Sequence, residues 1–219
     1  TLGYKGTTYD FSGPDLLDDM SLLFADVHFD GKFTGNLGYF AGLGAAFGWE
    51  DDFDMSENYN LKPRAGITYS FGGDYRLAAG VGASINEPDS SVYPILTLNY
   101  REPSDLGLSY KLGFPMVDAQ YRFNNLLALT GKLTAIPVNQ DIYQLSSTSM
   151  LARDGYLAEE YAEAKVGVVL TPMQAFSISA GVGYDFRHEY KIYDHDGNEF
   201  RSFDTDPSYS AYINFNARF

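Results

Sequence analysis

The stretch Tyr209–Phe219, YSAYINFNARF, puts Tyr209, Ala211, Ile213, Phe215, Ala217 and Phe219 on one side of an extended chain. Ser210, Tyr212, Asn214, Asn216 and Arg218 fall on the other side. Successive side chains of a strand point to opposite faces, so the segment reads as a strand that is apolar on one side and polar on the other for its whole length.

The same period of two recurs upstream. It is weakest in Thr1 to Asp10 and clear from Met20 to Phe33, with Ala25, Val27, Phe29 and Phe33 opposite Asp26, His28, Asp30 and Lys32. From Asn36 to Trp49, Leu37, Tyr39, Ala41, Leu43, Ala45, Phe47 and Trp49 alternate with a nearly empty face: Gly38, Phe40, Gly42, Gly44, Ala46 and Gly48. Further strands are predicted at Asn60 to Phe71, Tyr75 to Asn86, Val92 to Arg101, Leu106 to Phe114, Val117 to Phe123, Leu127 to Ile136, Lys165 to Leu170 and Phe176 to Tyr190. With the final strand this makes twelve. Gly72-Gly73-Asp74 and Asn124-Asn125 read as tight turns, and Asp196-Gly197-Asn198 as the turn of a protruding hairpin. Pro94 is expected to cause a bulge. Pro137 to Gly155 reads as the longest non-strand stretch, and the Ala/Glu-rich run Gly155 to Ala164 as a short helix.

A chain of 219 residues fits a single domain spanning 1–219. No apolar run approaches the roughly 20 residues of a membrane helix, so a membrane could be crossed only by a closed barrel. Without cysteine there is neither a disulfide framework nor a thiolate metal site. The net charge of −14 argues against nucleic-acid binding, which rests on phosphate neutralisation by Lys and Arg. A signal peptide is not evident, and Thr1 is read as a mature start.

A strand of this kind, ending on an aromatic residue, resembles the C-terminal strand of bacterial outer-membrane β-barrel proteins. The resemblance covers eleven residues and implies a closed antiparallel up-and-down transmembrane β-barrel of about 12 strands in a Gram-negative outer membrane. Its partners would be outer-membrane lipid, lipopolysaccharide and, through the terminal strand, the assembly machinery. Long acidic connections after strands 1, 3, 9 and 11 and short turns after strands 4, 6, 8 and 10 match the outer loops and periplasmic turns of such barrels. Two short outer connections, near Glu87 and Pro115, depart from the pattern. Aromatics gather in two bands, Tyr69, Phe71, Tyr75, Tyr100, Tyr121, Phe123, Phe176 and Phe219 at one end and Phe47, Trp49, Phe114, Tyr184, Phe186 and Tyr209 at the other, as interfacial girdles require.

Of the fifteen basic residues, ten fall on the inward face of this scheme: Lys62, Arg64, Arg76, Arg101, Lys111, Arg122, Lys132, Lys165, Arg187 and Arg218. The inward acids are Asp26, Asp30, Asp118, Glu163 and Asp185. Two functions follow. The cations line a narrow porin-like channel for small, preferably anionic solutes, or they pair with the acids and fill a closed structural or interaction barrel whose acidic extracellular loops bind a partner. The Gly-lined faces leave space that Phe40, Tyr93 and Arg side chains could occupy.

No catalytic set emerges, and no metal or cofactor is expected. Barrel lipases and lipid A deacylases place a His two residues before a Ser, whereas His28, His188 and His195 precede Asp30, Tyr190 and Gly197. Asp52-x-Asp54 and Asp26-x-His28 share the spelling of omptin-type protease motifs in reversed chain order. Asp194-x-Asp196-Gly197-Asn198 begins like a calcium loop but lacks the later ligands, and turn propensity explains it equally well.

Overall fold

The computed structural model describes residues 2–7, 20–50, 59–86, 88, 90–104, 106–135, 140–146, 153–173 and 176–217, and all regular structure among them is strand. Nine strands run as one antiparallel meander: β1 (Leu2–Thr7), β2 (Met20–Thr34), β3 (Leu37–Trp49), β4 (Tyr59–Phe71), β5 (Tyr75–Ser84), β6 (Ser91–Tyr100), β7 (Gly107–Phe114), β8 (Met116–Arg122) and β9 (Leu127–Thr134). There follow β10 (Gln140–Gln144), β11 (Tyr156–Met173), β12 (Phe176–Tyr193), β13 (Glu199–Thr205) and β14 (Ser208–Ala217).

Each of the twelve predicted stretches overlaps a strand, Lys165 to Leu170 being only the inner part of β11, and β10 and β13 are additional. The stretch Gly155 to Ala164 is not a helix but the first half of β11, and the predicted non-strand stretch Pro137 to Gly155 contains β10. Pro94 makes no bulge: it stays in register opposite Val81. The ladder from β6 to β7 starts only at Leu96, so a missing N–H on that side breaks no bond.

Within the one continuous sheet, the long hairpin β11–β12 has different neighbours along its two halves. Its lower half, below a bulge at Ala162/Glu163, is flanked by β9 (Glu163↔Thr134 to Leu170↔Leu127) and by β14 (Phe176↔Ala217 to Asp185↔Ser208). Its upper half is flanked by β10 and β13. This upper sheet reaches the far wall, where Gln144 pairs in parallel with Trp49 of β3. A closed barrel of nine strands results, running from β3 through β9 to β11 and back through β10, with the other strands extending from it.

Along the wall the inside and outside differ in the manner that alternation dictates. Val166 is 57% exposed and Ile213 61%, and Leu43, Ile67, Val81, Leu96, Leu129 and Val182 are also exposed. Rings stack in succession around the turn end of the outer surface, Tyr69, Phe71, Tyr75, Tyr100 and Tyr110, with centroids 5.0 to 6.4 Å apart. The compact core lies elsewhere, beneath the upper sheet. Met20 and Leu22 of β2, Ala46 of β3, and Tyr143, Leu145, Leu157, Tyr190 and Ile192 pack there, with Phe24 and Phe203 at the margin.

Candidate functional site: the charged lumen and its cover

Cross-strand pairing sets the lumenal charges in rows. One row runs through Ser70, Arg76, Asn99, Lys111, Asp118, Lys132 and Lys165, each paired with the next. It gathers four of the predicted cations around a single acid. A second group lies on β2, where Asp26, His28 and Asp30 point inward. Asp26 accepts two hydrogen bonds from the Arg64 guanidinium, both 2.8 Å, in the bidentate geometry that suits Arg and carboxylate. Asp30 takes Arg76, which reaches it from β5, and His28 Nε2 lies 2.7 Å from the same carboxylate.

Small residues make these reaches possible. A Cβ at Gly42 would stand 2.8 Å from Arg64 Nε, so only glycine lets the guanidinium lie flat on the sheet. Phe40 covers Gly66 and Gly80, Tyr93 covers Gly82, and Tyr212 covers Gly167 and Gly181. The empty faces legible in the sequence are thus filled from neighbouring strands, including by Phe40, Tyr93 and an Arg, as expected.

Nine of the ten predicted cations lie among the described residues. Lys62 donates to the Gln140 carbonyl of β10 at 2.7 Å, Lys165 pairs with Glu163 at 2.5 Å beside the Tyr212 ring, and Arg64 and Arg76 are paired as above. Lys111 and Lys132 lie on the central row, Arg122 ends β8 opposite Gly107 and Ala128, and Arg101 sits at the turn end, its N–H bonded to the Asp74 carbonyl. Arg187 departs from the lumenal set. Beyond the bulge the alternation of β12 is displaced, and this largely exposed side chain meets Glu189 at 3.5 Å. Arg218 lies outside the described residues, as do Asp52 and Asp54.

The cover carries polar groups that sequence reasoning missed. On its lumenal face the buried Glu159 lies 2.8 Å from His188 Nε2 and accepts from the Tyr143 and Tyr190 hydroxyls, both at 3.3 Å. On its other face the buried Glu160 accepts from Gln140 Nε2 at 2.9 Å and Lys191 Nζ at 3.1 Å. Buried carboxylates persist where charged and hydroxyl donors meet them, and both do here. The cover is latched to the wall. Asn60 Nδ2 donates to the Gln140 carbonyl, Glu50 N–H to the Gln144 carbonyl, and Ser146 N–H to Glu50 Oε2. A Cβ at Gly48 would stand 2.1 Å from the Ile142 carbonyl oxygen, so β10 can seat only against a bare backbone there. The available signal was the inward face of β2, where apolar Met20 and Leu22 precede the charged Asp26, His28 and Asp30.

The histidines engage other groups than a serine hydroxyl: His28 faces Asp30, His188 faces Glu159, and His195 Nδ1 faces the Asp154 carbonyl at 3.3 Å. In the β12–β13 turn, Asp194 accepts from the Asn198 backbone N–H at 2.8 Å and from Asn198 Nδ2 at 3.3 Å, which closes the turn. Those bonds favour the carboxylate and hold Asp194 below the usual aspartate range. Among the described residues no three His, Asp or Glu side chains converge as a metal site. No family model, curated protein or solved structure matches the chain, so the function is argued from its own geometry.

Proposed function

We propose that this chain is a twelve-stranded outer-membrane β-barrel, its wall formed by β1 to β9 with β11, β12 and β14, and that it rests closed. The observation that carries the reading is the inversion of polarity across the wall. Large apolar side chains stand exposed all round the outside, while Asp26, Asp30, Arg64, Arg76, Lys111, Asp118, Lys132 and Lys165 gather inside. An exposed apolar surface of that extent marks a lipid or protein contact, and a charge on it at mid-depth would cost roughly 2–4 kcal/mol. In this reading β1 and β14 meet to complete the wall, lipid and lipopolysaccharide surround it, and the terminal strand engages the assembly machinery.

Two features support a closed barrel over an open pore. The sheet of β10 to β13 lies across one mouth on a packed core. Below it, Arg64, Arg76 and Lys165 are held by Asp26, Asp30 and Glu163 and do not stand as a free ladder. Function in a closed barrel lies with surface ligands or partners. The reading of a narrow anion channel is favoured by one observation, the row Arg76, Lys111, Lys132 and Lys165, which contains a single acid.

Single-channel recording in a planar bilayer decides between them. Folded protein showing heat-modifiable migration is expected to give no steps. Sustained anion-selective steps would replace the closed barrel with the channel, and absence of heat-modifiable migration would remove the membrane barrel altogether.

A further inference from the structure

The strands of the wall differ in length. β7, β8 and β9 have 8, 7 and 8 residues, whereas β11 and β12 have 18 each. The β6–β7 ladder ends at Leu96↔Phe114 and the β9–β11 ladder at Thr134↔Glu163, yet β6 continues to Ser91 and β11 to Tyr156. A notch therefore opens in the wall between β6 and β11, just below the cover.

At this notch lies a cavity of about 690 Å³, lined by Phe114, Val117, Leu133, Ala162 and Phe186 with Arg187 beside them. Its volume falls within the roughly 300–1,000 Å³ usual for small-ligand sites. Phe114, Leu133 and Phe186 are among the exposed apolar side chains of the outer surface, so the cavity continues the apolar belt and is entered from the side. Among the described residues of the lining, Arg187 is the one that is charged. The bulge at Ala162/Glu163 sets Arg187 opposite Ala162, out of the lumenal rows, and its contact with Glu189 is long.

We propose that this cavity holds an acyl chain of an anionic membrane lipid, which enters sideways from the bilayer and places its phosphate against Arg187. The inference rests on the membrane reading above. An apolar chamber opening into hydrocarbon takes up a chain without loss of hydrophobic contact, and a single guanidinium at its mouth selects a phosphate, which carries the opposite charge. Among the described residues of the lining, Thr134 is the only other polar side chain.

The test places a tryptophan reporter in the full chain, in a Trp49→Phe background, and reconstitutes it in phosphatidylcholine vesicles. Leu133→Trp reports the cavity, and Leu129→Trp, on the same face of β9, reports the ordinary wall. A small fraction of acyl-brominated phosphatidylglycerol is expected to quench Leu133→Trp with about five-fold preference over brominated phosphatidylcholine, the scale of one basic residue at a lipid surface. Leu129→Trp should show no preference. Arg187→Glu should abolish the preference, and Ala162→Phe, which fills the cavity, should abolish the excess quenching while heat-modifiable migration persists. Val117→Trp replaces the first reporter if Leu133→Trp does not fold. Equal quenching at both sites by both lipids would overturn the proposal while leaving the membrane barrel intact. Quenching at the cavity by a brominated free fatty acid but by neither phospholipid would overturn it in favour of a different ligand. Quenching at neither site by any lipid would overturn the membrane reading itself.

Discussion

The two halves of the β11–β12 hairpin are built from the same pair of strands and live in opposite surroundings. Below the bulge they alternate: Val166, Val168 and Val182 face out and are exposed, while Lys165, Gly167 and Gly183 face in. Above it both faces of β11 are buried, with Leu157 and Ala158, neighbours pointing in opposite directions, each at 0%. Alternation is therefore a property of a strand with two different solvents, and it fades where protein covers both sides. Ala162/Glu163 is the junction at which one regime replaces the other.

The largest test of this contrast is a pair of truncations. Ile192→Ala in the covered half removes a fully buried side chain from the core and should cost about 2–5 kcal/mol. In the proposed membrane barrel, Val182→Ala in the wall should cost under about 1 kcal/mol, because lipid tails would fill in where the methyls are lost. Urea unfolding from vesicles measures both, and equal losses would mean that the wall face is packed against protein.

Charge insertion sharpens the same boundary. Val168→Arg is expected to destabilise the embedded protein by roughly 2–4 kcal/mol. Phe200→Arg, on an exposed site of β13, should stay within about 0.5 kcal/mol. Similar values for the two would deny that the wall meets hydrocarbon.

The junction gives the third test. Glu163→Gln removes the charged partner of Lys165, and because the lysine is about one-third exposed, solvent screening limits the loss to about 1 kcal/mol. A loss several times larger, read from the same urea curves, would make the junction a rigid hinge of the whole hairpin and not a local pair.

Period-two alternation made the wall legible, because each wall strand has one apolar and one polar face. The cover was not legible for the same reason in reverse. Tyr156 to Ala162 carries Leu157, Ala158, Glu159 and Glu160, a composition that reads as helical when nothing marks which acids are buried. Glu159 and Glu160 are stable in a strand only because His188, Tyr143 and Tyr190 on one face, and Gln140 and Lys191 on the other, come from distant segments. The inward set of cations could be sorted by face, but their pairings could not. Arg64 finds Asp26 because Gly42 lets it lie across β3 between them, a relation that needs register. Arg187 was assigned to the lumen by unbroken counting, and the bulge displaces it.

The parallel pairing of Gln144 with Trp49 joins residues almost a hundred positions apart, and the other ladders among the described residues are antiparallel. Contacts so distant along the chain form only after the loop between them has been closed by intervening structure, here the meander β3 to β9. Docking of the cover is thus expected as the late event of folding. Trp49 is the single tryptophan of the chain and sits at the seam, so the native protein carries its own fluorescent clock for that event.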